Sequence, residues 1–364
     1  MLAFCVGFSP KEADMPLREL PMLASHDAAT GYMGSEDVRN TWMRTQATSF
    51  PNQATCGSRA LDLRMGSLGG KVQMHHGGFY MYDQTVEDTM ADMVGWAAAH
   101  PTELVLLMGS HCECCASYNP VTTEGNDCSS CSCASDTFKQ PFAANAIAVV
   151  TDCSEVASLT RETAMNKSAL PQGGHLLAIM DCIDQNYGAA ENIGWGKTIV
   201  SGQSSDKSFE QLFAYFDASL AAAHSGSWML QAMWQEAPSL KYDPFQSIFD
   251  YQENSEINAR LLQRMQQGKL AGANVVLSNL ICRQGPELSA ALGATVTAAD
   301  IATCKAACGS HYGGVSSLAE RAANVSAAIP EDAVDANGNA LHVLQLREEM
   351  TSQLRRAGAR AIEG

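Results

Sequence analysis

Six short, nearly unbroken apolar runs set the architecture open to this chain: LPMLASHD (20–27), SRALDLR (58–64), ELVLLMGS (103–110), HLLAIMD (175–181), WMLQAMWQ (228–235) and ANVVLSNL (273–280). A strand with one wet face alternates polar and apolar residues, whereas a continuous apolar run of strand length implies burial on both faces. Helical spacing fills the intervals. Residues 85–100 read as a helix opened by Thr85 and stopped by Pro101, 206–223 as a second, and 255–268 as a third between Ser255 and Gly268. Apolar strands alternating with helices predict an α/β fold around a parallel sheet, either doubly wound or closed into a barrel. A doubly wound nucleotide binder needs a glycine-rich phosphate turn after its first strand, and SHDAATGYMG is not one. Polar side chains instead end several different strands: His26 and Asp27, Arg64, Ser110, Asp181 and Asn279. Chemistry gathered from many strand ends favours a barrel of the TIM type.

Charge narrows the partners. The 364 residues carry 39 acidic against 23 basic side chains, a formal charge of -16, with no lysine- or arginine-rich run, so nucleic acid is not an expected partner. No apolar stretch approaches the roughly 20 residues that span a bilayer, and MLAFCVGFSP (1–10) has neither a basic flank nor a cleavage pattern. Six of the thirteen cysteines crowd into HCECCASYNPVTTEGNDCSSCSC. That density in a polar loop predicts a disulfide-stapled insertion over 111–134 and a secreted protein; a zinc knuckle built from His111, Cys128 and Cys131 is the rival. The sequons at Asn166 and Asn324 fit secretion, and an odd cysteine total leaves at least one thiol unpaired within the chain. One monomeric domain over 15–328 is expected, followed by a C-terminal loop and helix over 329–364.

The densest chemistry lies in ALDLRMGSLGGKVQMHHGGFYMY (60–82). Only six residues, three of them glycine, separate Arg64 from Lys71. A parallel crossover needs about a dozen, so the connection is a hairpin that brings its return strand back beside Asp62 and Arg64. Strand alternation places Asp62 and Arg64 on one face and His76 on one face of the return, with His75 pointing the other way. A planar, permanently charged guanidinium suits a phosphate, and two histidines near it, His76 and His26, can divide base and acid work.

These motifs resemble the X-domain of the phosphatidylinositol-specific phospholipases C, above all the metal-independent bacterial type. ASHDAATGYM resembles that family's first-strand His-Asp motif, and residues 57–107 follow its order of strand, Asp-x-Arg, hairpin, His-His-Gly, helix, Pro-x-Glu and next strand. The close match covers residues 20–110, and ANVVLSNLI resembles the last strand. The resemblance implies a distorted TIM barrel that cleaves a phosphodiester without a cofactor. His26 then corresponds to the general base and His76 to the general acid assisted by Asp27. Arg64 corresponds to the phosphate-holding cation, with Asp62 bracing it. The substrate is expected to be a phospholipid or small phosphodiester, met in transient contact with a membrane surface.

The sequence also departs from the pattern. Asn279 stands where the bacterial enzymes orient the base with an aspartate, Asp181 where an arginine grips the inositol, and Ser110 and His111 near a lysine position. Ser110 and Asp181 are therefore expected at a substrate pocket of altered specificity. Two other readings remain: a non-catalytic binding barrel, and a metal-dependent relative of the glycerophosphodiesterase or sphingomyelinase-D type. The latter needs a Glu-x-Asp pair where this chain has Ala60 and Asp62.

Overall fold

The computed structural model describes residues 13–33, 43–76, 79–118, 125–183, 195–200, 203–206, 209–222, 229–233, 235–236, 248–270, 273–294 and 296–309. The 1–10 segment, the Asn324 sequon and the 329–364 loop and helix lie outside these residues. The strands that matter below are β1 (Met22–Ser25), β2 (Ser58–Leu68), β3 (Lys71–His76), β4 (Phe79–Thr85), β5 (Leu104–Cys115), β6 (Ala148–Val150), β7 (His175–Met180), β8 (Met229–Gln231) and β9 (Val275–Ser278). Seven of them form a parallel run in the order β8-β9-β1-β2-β5-β7-β6. The α/β class and the parallel sheet expected from the six apolar runs are both present. Among the described residues the outer strands β6 and β8 are not paired with each other.

Both faces of the sheet are buried, as unbroken apolar strands require. One face carries Leu61, Leu63, Val105, Leu107, Leu176 and Ala178 against helices α1 (Phe50–Thr55), α2 (Val86–Ala99) and α3 (Asp136–Ala144). Leu23, Leu230 and Val276 continue that face against α4 (Phe209–Ala222), α5 (Ile257–Gln266), α6 (Gly285–Ala291) and α7 (Ala298–Cys308). The opposite face is lined by Met22, Ala24, Ala60, Leu104, Leu106, Met108, Leu177, Ile179, Val275 and Leu277. Helix α2 begins where expected: Thr85 Oγ1 accepts from Asp88 N at 3.1 Å while the Asp88 carboxylate accepts from Thr85 N at 3.4 Å, a reciprocal cap of two otherwise orphaned donors.

The predicted hairpin joins β2 to β3. Leu68 faces Lys71 across Gly69 and Gly70, whose φ angles of 55° and 81° are those a two-residue hairpin turn of matching twist demands. Strand β5 runs five residues past its expected end at Ser110. Its extension pairs with the end of β2 on one side (Gly66–Leu68 against Glu113–Cys115) and with Ser129 and Ser130 on the other. Three nested disulfides, Cys112–Cys133, Cys114–Cys131 and Cys115–Cys128, staple this ribbon. With Cys128 and Cys131 both in disulfides, no thiolates remain for the zinc knuckle. Three more bonds, Cys153–Cys182, Cys56–Cys304 and Cys282–Cys308, pair the other described cysteines, and no described helix is long and apolar enough to cross a membrane.

Candidate active site

The site is the polar continuation of the sheet face that carries Ala24, Ala60, Met108 and Leu277. Stepping by two along each strand from the apolar residues of that face leads from Ala24 to His26, from Ala60 to Asp62 and Arg64, from Met108 to Ser110, and from Leu277 to Asn279. The same alternation that builds the core therefore delivers these side chains to one end of it. β1 and β9 end in abrupt turns through left-handed residues, Asp27 at φ 43° and Leu280 at φ 53°. Such backbone is costly for residues other than glycine and is concentrated at functional sites.

Asp27 lies at the centre of the cluster. Its Oδ2 is 3.0 Å from His76 Nε2 and 3.3 Å from His26 Nε2, and its Oδ1 is 2.5 Å from Arg64 Nε. Asp62 supports the same groups, accepting from Asp27 N at 3.1 Å and from Arg64 Nη2 at 3.2 Å, with Ser110 Oγ donating to its other oxygen at 3.4 Å. On the far side His26 Nδ1 is 2.8 Å from Asn279 Oδ1, and His26 Nε2 is 2.9 Å from Arg64 Nη2. A guanidinium can only donate, so Nε2 is the accepting nitrogen of a neutral ring and Nδ1–H donates to the amide. His76 Nδ1 and Asn279 Nδ2 are buried without a hydrogen-bond partner among the described residues.

Charge and burial act in opposition here. Burial pushes the Asp27 carboxyl up, but Arg64, His26 and His76 outweigh it and hold the group far below the usual carboxylate range. Burial lowers His26 below 6.5, with Arg64 adding to that and Asp27 and Asp62 opposing it. Arg64 is raised despite its burial because two carboxylates face it. The cluster is thus an anionic Asp27, a permanent cation and a neutral imidazole with its lone pair turned inward.

Not every expected residue joins. Asp181 follows the same alternation after β7, but its carboxylate accepts from Ser132 Oγ at 2.6 Å and Ala134 N at 3.2 Å, fastening the strand end to the base of the stapled ribbon. His75 turns away from Asp27: it stacks on Tyr80 with ring centroids 5.4 Å apart, and its Nε2 lies 3.0 Å from His111 O. Strict continuation of the β2–β3 register from Met65 opposite Met74 would set Arg64 opposite His75. The ladder ends at Met74, and shifts in the β2–β5 and β3–β4 pairings let β3 diverge so that His76 reaches the site. Gln46, buried between the ends of β1 and β9, carries no sequence signal of a role, because its partners lie up to 235 residues away.

The ligand atoms of His26, Asp27 and Asp62 lie within 4.8 Å of one another, a spacing that suits a cation. The Arg64 guanidinium already lies among them. A separate cavity of about 360 Å³ beside the Leu280 turn is lined by Glu253, Glu256, Asn258 and Arg283, and by none of the clustered residues.

A parallel α/β scaffold whose strand ends gather two histidines, two carboxylates and an arginine defines a class, and part of the chain is similar to a PI-PLC X-domain protein. A human protein named PI-PLC X domain-containing protein 1 is 27% identical over 132 aligned residues, covering 29% of this chain and 40% of that protein. The chain thus spans well under half the length of that relative. No family model matches the sequence. Among solved structures, two variants of phosphatidylinositol-specific phospholipase C from Staphylococcus aureus are 15% identical. They cover 74% and 80% of this chain and 88% and 93% of their own, with TM-scores of 0.46 and 0.48. The corresponding enzyme from Listeria monocytogenes is 11% identical, covers 80% of this chain and 94% of its own, and has a TM-score of 0.41.

Proposed function

We propose that the chain is a phosphodiesterase of the phospholipase C type that cleaves a phospholipid or small phosphodiester with no metal ion. The observation that carries this reading is the pairing of Asp27 Oδ2 with His76 Nε2 (3.0 Å), with Arg64 against both the carboxylate and the accepting Nε2 of His26 (2.9 Å). His26, neutral and with its proton held at Nδ1, takes the proton of the attacking hydroxyl at Nε2. His76, paired with Asp27, gives a proton to the leaving alkoxide. Arg64 neutralises the phosphoryl oxygens as charge builds on them. A phosphate oxygen is a far better acceptor for Nη2 than an imidazole, so substrate draws the guanidinium off His26 and uncovers the base as the phosphate arrives.

Arg64 also argues for independence from metal, since it supplies a fixed positive charge where the three potential ligands converge. The disulfides suit an extracellular location, and contact with a lipid surface would be transient. Asn279 is the one feature that favours a binding role instead: a neutral amide orients the base without stabilising the imidazolium that forms on it. Phosphorus NMR of the protein with phosphatidylinositol and, separately, with glycerophospholipids decides between the readings. A phosphomonoester or cyclic phosphate signal that survives excess EDTA supports the proposal; binding without turnover of either lipid refutes it.

A further inference from the structure

His26 and Asn279 meet across 253 residues of sequence, yet the backbone ladder that sets their spacing stops short of them. β1 and β9 are in register only from Met22–Val275 to Ser25–Ser278, and the last rung is His26 N to Ser278 O at 3.0 Å. Both chains then leave the sheet through left-handed residues. Gln46 takes over where the ladder ends. Its side chain is wholly buried (0% exposed), with Nε2 donating to His26 O and to Ser278 O, each at 3.0 Å, and Oε1 accepting from Ile281 N at 3.0 Å. Both amide N–H groups face carbonyls and the amide oxygen faces an N–H, which leaves one self-consistent orientation. Thr45 adds to the hold, with its Oγ1 2.9 Å from His26 O and its carbonyl accepting from Leu280 N at 2.8 Å.

We infer that Gln46 is a positioning residue for the base: a side-chain rung that extends the β1–β9 pairing by one step and keeps His26 Nδ1 against Asn279 Oδ1. The inference rests on His26 acting as the base proposed above. A carboxylate would hold an imidazole N–H by charge as well as geometry, and its hydrogen bond would be roughly twice as strong as one to a neutral amide. With Asn279 in that place the ring depends more heavily on where the two backbones put it. Gln46 hydrogen-bonds both backbones, and among the described residues no hydrogen bond or ion pair joins it to Arg64, Asp27 or His76.

Gln46→Met keeps the length and burial of the side chain and removes its amide. Nitrogen NMR of the His26 ring, assigned by the signals lost in His26→Gln, should show the Nδ1–H tautomer giving way to a mixture. On phosphatidylinositol kcat should fall roughly tenfold, as expected when a reacting group is displaced by a fraction of an ångström, with KM little changed. In an Asn279→Ala background the same substitution should lower kcat no further, because the contact it serves is already gone. An unchanged tautomer, or effects that multiply in the double variant, would overturn the inference and leave Gln46 a structural residue. If Gln46→Met does not fold, Gln46→Asn, one methylene too short to reach all three partners, is read in the same two ways. If the wild-type protein cleaves no phosphodiester, the catalytic reading fails by itself, and the ring-nitrogen measurement still decides whether Gln46 sets the His26–Asn279 contact.

Discussion

The strand-end site and the stapled ribbon lie at adjoining ends of β2 and β5 but are held in opposite ways. The site draws side chains from β1, β2, β3 and β9, far apart in sequence, and is ordered by a buried sheet, hydrogen bonds and opposed charges. The ribbon spans residues 112–133, and three disulfides link its two sides within that short interval. A segment so small cannot bury enough apolar surface to order itself, so covalent staples do that work. Geometry borrowed from a core is sensitive to single polar atoms, whereas geometry fixed by redundant crosslinks tolerates the loss of one.

That contrast sets the order of expected effects. His26→Ala and His76→Ala should each cut turnover by roughly a hundredfold or more in folded protein, while His75→Ala, which removes a ring stacked on Tyr80, should cost far less; comparable losses in all three would erase the distinction between the adjacent histidines. Arg64→Lys should follow with a loss on the order of tenfold, because a point charge cannot reproduce the planar fork, and excess EDTA should leave the wild-type rate unchanged. Loss on chelation with recovery in calcium would move the cation's role from Arg64 to a metal.

Asn279→Asp should act on the pH profile more than on the maximal rate. His26 is held below 6.5, chiefly by burial, so its base form persists into mildly acidic solution and the acid limb of the profile lies below pH 6.5. A carboxylate at position 279 would raise His26 and move that limb upward. The sign for stability follows from the same shift: the unfolded chain takes up the His26 proton more readily than the folded one, so this group's contribution is lost as pH falls below 6.5. Rate–pH profiles of the two proteins measure the displacement. The smallest effect should come from the double change of Cys115 and Cys128 to serine, because two outer disulfides still close the loop. A 13-residue separation closed alone would contribute about 3 kcal/mol, but inside two existing closures the loss should stay near 1 kcal/mol, a shift of only a few degrees in melting temperature. Activity should be retained, and a large fall would show that the ribbon shapes the site.

Much of this was legible in the chain because it depends on local periodicity. Unbroken apolar runs located the six strands, Thr85 and Pro101 bracketed α2, and Gly69–Gly70 marked the hairpin. The three-residue β6 escaped because it is too short to show a pattern, and β5 outran its expected end because pairing with the ribbon, not its own composition, extends it. At the site, residue types and strand ends could be read, but the partners could not. The hold of Asp181 on Ser132, the divergence of β3 after Met74 and the grip of Gln46 on two strand ends all arise from contacts between distant segments, which no local spacing encodes.

The place of β9 beside β1 has a consequence for how the molecule must assemble. Strands β2 and β3 can zip together almost as soon as they are made, since a tight hairpin forms in roughly 1–10 microseconds. The pairing of Met22 with Val275 instead closes a loop of some 250 residues, and its entropic cost must be met before any contact across it is gained. During synthesis β1 therefore waits with one edge open until almost the whole sheet-forming sequence has emerged, exposed to mispairing for that time. Binding of His26 to Asn279 belongs to that final closure, so catalytic competence should appear only with completion of the sheet and never in a fragment that ends before β9.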